Sequence, residues 1–413
     1  MSNDSINNRG RKKKDLIREK DLQGLKYIEK FLPLFERFHH VNAHHNRELY
    51  FDQYITLILL YFFNPVLTSL RSIQQSSHID KVKKAVGIKG VGLSTLSDAG
   101  NVFDAKLIAP LISELAKKAI PLERDPKLKV LQQRLVAVDG TLLNALPKML
   151  WALWIDEQHR ATKLHLELDI LKTVPVNAII TDGNANEKTV LRNFLSKDKI
   201  YVLDAGYSEY KLFQEIIDTG SSFVGRLRDN AVWEIIEDRA LSDNDKNAGV
   251  QKDIVVRLGC KGKQEDLTNN VRVIEIFHKG DSSRPRKSKV SSKKTFRTTE
   301  TDYIFYIVTN LMDIPAEIIA LIYRYRWQIE LFFRWFKCIL GCKHLLSLSK
   351  NGVSIQVYCA LIASMLITLW TGCKPNKRTF EMLCFYFMGW ATEEELAQHI
   401  KKLREAEEEK KTF

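Results

Sequence analysis

Three patterns of apolar and polar positions follow one another along the chain. In LKYIEKFLPLFERF and FDQYITLILLYFFNPVLTSLRSI apolar residues recur at spacings of three and four, which predicts helices. GIKGVGLSTLSDAGNVFD breaks the pattern with glycines, and KLIAPLISELAKKA resumes it. Past Arg124, Asp125 and Pro126 the period changes. LVAVDG, KLHLELDIL, NAIITDG, KIYVLDAGY and SSFVGRLRDN are short β-branched runs bounded by turn residues, and they predict strands. NEKTVLRNFLS and SEYKLFQEIIDTG between them read as helices. Strands mixed with helices make an α/β or α+β core. Within residues 229–300, VQKDIVVRLGC and NNVRVIEIFH alternate like strands, and YIFYIVTNL reads as a last strand. From Pro315 the chain reads as helix to its end. Thr392 and Glu395 form a capping box for the final helix, whose Leu396, Ile400 and Leu403 make a narrow apolar stripe. This divides the chain into a helical region 1–125, a mixed region 126–350 with a β-rich insertion at 229–300, and a helical region 351–413, a candidate for dimerisation.

Composition narrows the class. Of 413 residues 45% are hydrophobic, enough for a large core, so wholesale disorder is excluded. The formal net charge of +13 favours an anionic partner, nucleic acid ahead of a membrane surface. Six cysteines (260, 338, 342, 359, 373 and 384) do not make a disulfide scaffold and suit reduced thiols in a cytosolic protein. IQVYCALIASMLITLW (355–370) is short for a membrane span and carries Gln356, Ser364 and Thr368, so it is expected to be a buried helix. The tail holding Arg11, Lys12, Lys13 and Lys14 reads equally as a frayed end or as an arm on phosphate.

Asp139 follows the apolar run 135–138 and precedes Gly140; Asp204 follows 201–203 and precedes Ala205 and Gly206. A carboxylate at the edge of a buried strand must be paired or bound to a metal. In LIYRYRWQIELFFRWFKCIL, a helix apolar nearly all round, Tyr323, Arg326, Glu330, Arg334 and Lys337 fall within an arc of about 80°. Such a stripe is either an internal ion-pair ladder or a carboxylate facing a metal with cations beside it for phosphates. Three carboxylates without His or Cys suit a pair of Mg²⁺ ions, and a pair of divalent cations suits in-line displacement at phosphorus.

Tyr323, two residues, Arg326, three residues, Glu330, six residues, Lys337 resembles the Y-x2-R-x3-E-x6-K signature of DDE transposases, in the family named after insertion sequence four. VAVDGT at Asp139, ITDGNANE, and VLDAGY at Asp204 resemble that family's remaining motifs. The resemblance covers residues 130–350. It implies a ribonuclease-H-like core with Asp139, Asp204 and Glu330 as catalytic and metal-holding residues. Two Mg²⁺ ions, or Mn²⁺ in their place, would be the cofactor. Tyr323, Arg326 and Lys337 would contact DNA phosphates, with Arg334 beside them. The implied activity is cut-and-paste transposition: DNA cleavage and strand transfer by a homodimer on inverted repeats. The partners would be double-stranded transposon ends and target DNA, not a membrane, and the place the cytoplasm, on the nucleoid. The helical region 1–125 would bind DNA. Trp233 is the candidate acceptor of a flipped base, or a core Trp. Ala205 departs from the Arg that many relatives carry there. The alternative is a non-catalytic DNA-binding protein derived from a transposase.

Weaker candidates are expected to be structural. His39, His40, His44 and His45 suit a polar helix end, and Cys338, Cys342 and His344 suit packing. Asp182 suits a turn or a supporting position beside the site. Asp156, Glu167 and Asp169 suit surface or strand-end charges, with Asp169 and His165 also able to face the cleft. Residues 279–297 hold eight basic residues and one acidic, a solvated loop or a DNA-backbone contact.

Overall fold

The computed structural model describes residues 32–41, 46–122, 125–156, 159–259, 266–279, 285–287, 297–299, 303–341, 345–374 and 376–412. The basic tail 11–14, His44, His45, Cys260, Cys342, His344 and most of 279–297 lie outside them.

A short turn of helix, Leu32–Phe35, leads into five helices: α1 (Phe51–Phe63), α2 (Leu70–Ser77), α3 (Asp80–Val86), α4 (Leu93–Val102) and α5 (Ala109–Lys118). Then come β1 (Arg134–Asn144), β2 (Ala161–Asp169), β3 (Val174–Asp182), α6 (Glu187–Arg192), β4 (Lys199–Leu203), α7 (Tyr210–Asp218) and β5 (Ser222–Arg226). The insertion contributes β6 (Trp233–Asp238), α8 (Asp243–Asn247), β7 (Val250–Leu258), β8 (Val271–His278), β9 (Pro285–Lys287) and β10 (Arg297–Thr299). β11 (Tyr303–Thr309) returns to the core. The chain closes with α9 (Ala316–Tyr325), α10 (Trp327–Gly341), α11 (Lys350–Thr371), α12 (Lys377–Phe387) and α13 (Glu393–Thr412).

One nine-stranded mixed sheet organises these elements, in the order β3-β2-β1-β4-β5-β11-β8-β7-β6. β1, β4 and β5 run parallel, and the other neighbours are antiparallel. The parallel centre explains why Leu135–Val138 and Lys199–Leu203 are buried on both faces. The insertion does not stand apart: β8, β7 and β6 continue the sheet beyond β11.

Each face of the sheet has its own core. On one, Leu135, Ala137, Ile200 and Val202 join Phe332 and Phe336 of α10, the apolar residues of α11, and the N-terminal helices. On the other, Val136 and Val138 join Val190 and Leu191 of α6 and Phe213 of α7. α11 is long and apolar enough to cross a membrane, yet its central residues are buried against other elements, including α1, α5 and β3. It ends at Gly372, whose φ of +64° is the left-handed cap a glycine adopts without strain. The capping box of α13 forms, Thr392 N–H donating to Glu395 Oε2 at 2.7 Å and Glu395 N–H to Thr392 Oγ1 at 3.2 Å.

The structure chooses among the alternatives that the sequence leaves for three residues. Glu167 is buried inside β2 and pairs with Lys199, tying β2 across β1 to β4, whereas Asp169 is a strand-end charge, buried and paired with Arg134 of β1 at 2.7 Å. Trp233 lies six strands from β1 and packs edge-on against Tyr306, ring centroids 5.2 Å apart.

Candidate active site

β1 and β4 pair in parallel up to Ala137 opposite Val202. Two residues further along the chain from each of these stand Asp139 and Asp204. An even step keeps the side-chain direction, so both share the sheet face of Ala137 and Val202, which α10 covers. β4 ends at Leu203, and Asp204 opens a 3₁₀ turn, Ala205–Tyr207. β1 does not end at Asp139, as the pattern of residues suggests. It runs on to Asn144 paired with β2 alone, so Asp139 marks the end of the β1–β4 pairing. The two aspartates repeat one geometry, each Oδ1 accepting from the next residue's N–H at 2.7 Å.

The polar stripe spans two helices. α9 closes with Arg326 N–H donating to Tyr323 O at 3.0 Å, and α10 opens with Ile329 N–H donating to Arg326 O at 3.1 Å. These tight turns divide α9 from α10 at Arg326, which keeps helical backbone angles, and Tyr323 falls on α9. Arg326 Nη2 donates to Glu330 Oε1 at 2.7 Å, and its guanidinium lies 5.9 Å from the Tyr323 ring. Tyr323 rests on Phe305 at 5.8 Å, and Phe305 carries Arg226 at 5.4 Å. Arg334 and Lys337 are exposed, as is Trp327, so the stripe opens to solvent rather than lying inside the core. A cleft of about 810 Å³ adjoins it, lined by Tyr303, Phe305, Tyr323, Arg324, Arg326 and Trp327, among others.

Electrostatics bind these residues into one site. Burial pushes the Asp139 carboxyl up to about 6; Gly140 N–H and Arg326 oppose the rise, and Glu187 and Asp204 add to it. Burial works against the charge of Arg326, but Tyr323, Asp204 and Glu330 hold its pKa above the ordinary value. Burial also raises the Tyr323 hydroxyl, with Arg326 opposing and Asp204 assisting. Neither Asp139 nor Asp204 forms a salt bridge among the described residues. No three His, Cys, Asp or Glu side chains among them draw close enough to grip an ion. Two aligned carboxylates without a paired cation, all oxygen donors, fit a hard divalent ion in chemistry. The third, Glu330, is held by Arg326.

The profile of the family described as "Transposase DDE domain" matches residues 131–366, which span both aspartates and the α9–α10 stripe. The chain belongs to this family. It is 27% identical over 333 residues, 79% of either chain, to a probable transposase for insertion sequence element IS5377 of Geobacillus stearothermophilus. It is 28% identical over 228 residues, 55% of this chain and 57% of the other, to a putative transposase y4zB of Sinorhizobium fredii. It is 22% identical over 305 residues, 72% of this chain and 77% of the other, to a putative transposase for insertion sequence element IS4SA of Synechocystis.

Of the remaining candidates, Asp182 accepts from Asn184 N–H at 3.0 Å in a turn, and His39 pairs with Asp52 at 3.0 Å. Cys338 Sγ contacts Arg334 O at 3.3 Å, a contact within α10. His165 is buried, its Nε2 2.9 Å from Thr181 Oγ1. Sequence reasoning missed Glu187. It lies in the ITDGNANE segment, but an acidic residue in the first turn of a helix is ordinary and gives no signal of its own.

Proposed function

We propose that this protein is an insertion-sequence transposase that cuts and joins DNA at the element's ends. The reading rests on one observation: Asp139 and Asp204 stand just past the paired ends of two adjacent parallel strands, each two residues beyond Ala137 and Val202, on the sheet face that the Glu330 helix covers. The mixed sheet, with its parallel centre and an antiparallel edge through β2 and β3, supports a ribonuclease-H-like core. The Tyr323–Arg326–Glu330–Lys337 spacing supports the family named after insertion sequence four.

Asp139 and Asp204 would hold two Mg²⁺ ions, or Mn²⁺, with Glu330 as the third carboxylate. Bound there, such ions would activate an attacking oxygen at neutral pH and offset charge on the leaving oxygen. The chain's own residues do the rest. Exposed Lys337 and Arg334 receive the phosphate backbone of an approaching DNA end. Tyr323, braced between Phe305 and Arg326, orients its hydroxyl toward the scissile region. Arg326 neutralises phosphate charge while keeping Glu330 in place. A homodimer would bring two ends together for cut-and-paste transfer.

The test is cleavage of double-stranded DNA carrying the sequences that flank this gene. Asp139→Asn, Asp204→Asn and Glu330→Gln should each abolish cleavage in Mg²⁺ while leaving binding largely intact. A wild-type chain that binds such DNA and never cuts or joins it would make the protein a binder only.

A further inference from the structure

Glu187 approaches the two aspartates from the side opposite Glu330. Gly140 follows Asp139 on β1, so the two point to opposite faces of the sheet. A Cβ on Gly140 would lie 2.9 Å from Glu187 Oε1 and 3.3 Å from Lys163 Cδ. Only glycine leaves that space, and the Glu187 carboxylate fills it, against the backbone of the residue after Asp139. Asn186 fixes the approach by capping α6, its Oδ1 accepting from Lys188 N–H at 2.9 Å. The charge of Glu187 is felt at Asp139 and at the Tyr207 hydroxyl, as is that of Asp204.

Lys163 is the present partner of Glu187, Nζ to Oε1 3.1 Å, with side chains 15% and 33% exposed. Two residues along β2, directly across from Gly140, stands His165. It is 1% exposed. Thr181 Oγ1 donates to Asp182 O at 2.9 Å, so it accepts from His165 Nε2–H. That leaves His165 Nδ1 a buried acceptor without a partner among the described residues, on the face shared with Lys163. As a mere staple, a partly exposed ion pair contributes little, and this one sets a negative charge against a buried aspartate. The placement is favourable once a cation lies between the carboxylates.

We propose that Glu187 is a fourth carboxylate of the catalytic centre, held by Lys163 in the metal-free protein and turned to a divalent cation at the Asp139 side when one binds. The proposal rests on the metal-dependent reading of Asp139 and Asp204. Mn²⁺ binding to the metal-free full-length protein, followed by calorimetry or by the electron-spin signal of free Mn²⁺, tests it without turnover. Glu187→Gln should weaken binding of one Mn²⁺ about tenfold or more. Lys163→Gln breaks the same ion pair but frees Glu187, so binding should stay or tighten. Asp139→Asn should abolish it. Equal weakening by Glu187→Gln and Lys163→Gln would make the pair a staple for α6 and overturn the proposal. So would wild-type binding by Glu187→Gln beside a defective Asp139→Asn. Wild-type binding by Asp139→Asn would instead overturn the metal reading itself.

Discussion

Arg326 reaches along one helical turn to Glu330, Nη2 to Oε1 2.7 Å, and its charge also acts on Asp139 and Asp204. One guanidinium thus serves three carboxylates, with its side chain only 14% exposed. Arg326→Ala would remove the hydrogen-bond partner of Glu330 and the positive charge that acts on Asp139 and Asp204. It should lower metal-free stability by about 1–3 kcal/mol in urea denaturation, since Glu330 keeps some contact with water. End binding should weaken as well. Unchanged stability would return Arg326 to phosphate contact alone.

Lys337 differs, being exposed on the same stripe. Lys337→Ala should leave the melting temperature where it is. The salt dependence of DNA binding should become shallower by about one unit of slope, because one phosphate would no longer be neutralised. A salt titration of both proteins on the same DNA decides it. An unchanged slope would remove Lys337 from the interface.

The Asp139 carboxyl, pushed up to about 6, lies above the ordinary aspartate value of 3.8. A raised folded-state pKa means that the ionised form destabilises the fold. The cost is absent below about pH 4 and complete above about pH 6. Asp139→Asn should therefore stabilise the metal-free protein, on the order of 1–3 kcal/mol at about pH 7.5. Melting curves across pH should show the gain shrinking as pH falls toward about 4. A gain that grows on acidification would contradict the assignment.

Lys199 is the cationic partner of Glu167, which is fully buried on β2 opposite Val138. Lys199→Met should cost about 3–5 kcal/mol in denaturant unfolding, because among the described residues Glu167 would keep only the hydrogen bond from Asn177. Adding Glu167→Gln should recover much of that loss. Independent, additive losses would mean the pair is not coupled.

Local sequence carried the strands around the site. LVAVDG and KIYVLDAGY are apolar runs ending in turn residues, and a buried parallel strand requires that pattern. It could not show that β1 continues past Asp139, because TLLN pairs with β2 alone. β6 went unread for a related reason: WEIIED sits at the sheet edge, almost wholly exposed, and lacks an alternating face. The break at Arg326 left no mark, since LIYRYRWQIELFF is continuous in helical propensity. Glu167 and Asp169 read as surface or strand-end charges, and their burial was not legible because their partners, Lys199 and Arg134, lie more than thirty positions away. Glu187 needed the fold outright, since only folding brings the start of α6 against Gly140.

Replacing each carboxylate with a thiol that prefers softer ions tests the central claim most directly. Asp139→Cys, Asp204→Cys and Glu330→Cys should each lose cleavage of end DNA in Mg²⁺ by more than about a hundredfold and recover part of it in Mn²⁺. Wild-type cleavage in Mg²⁺ by any one of them would remove that residue from the metal centre.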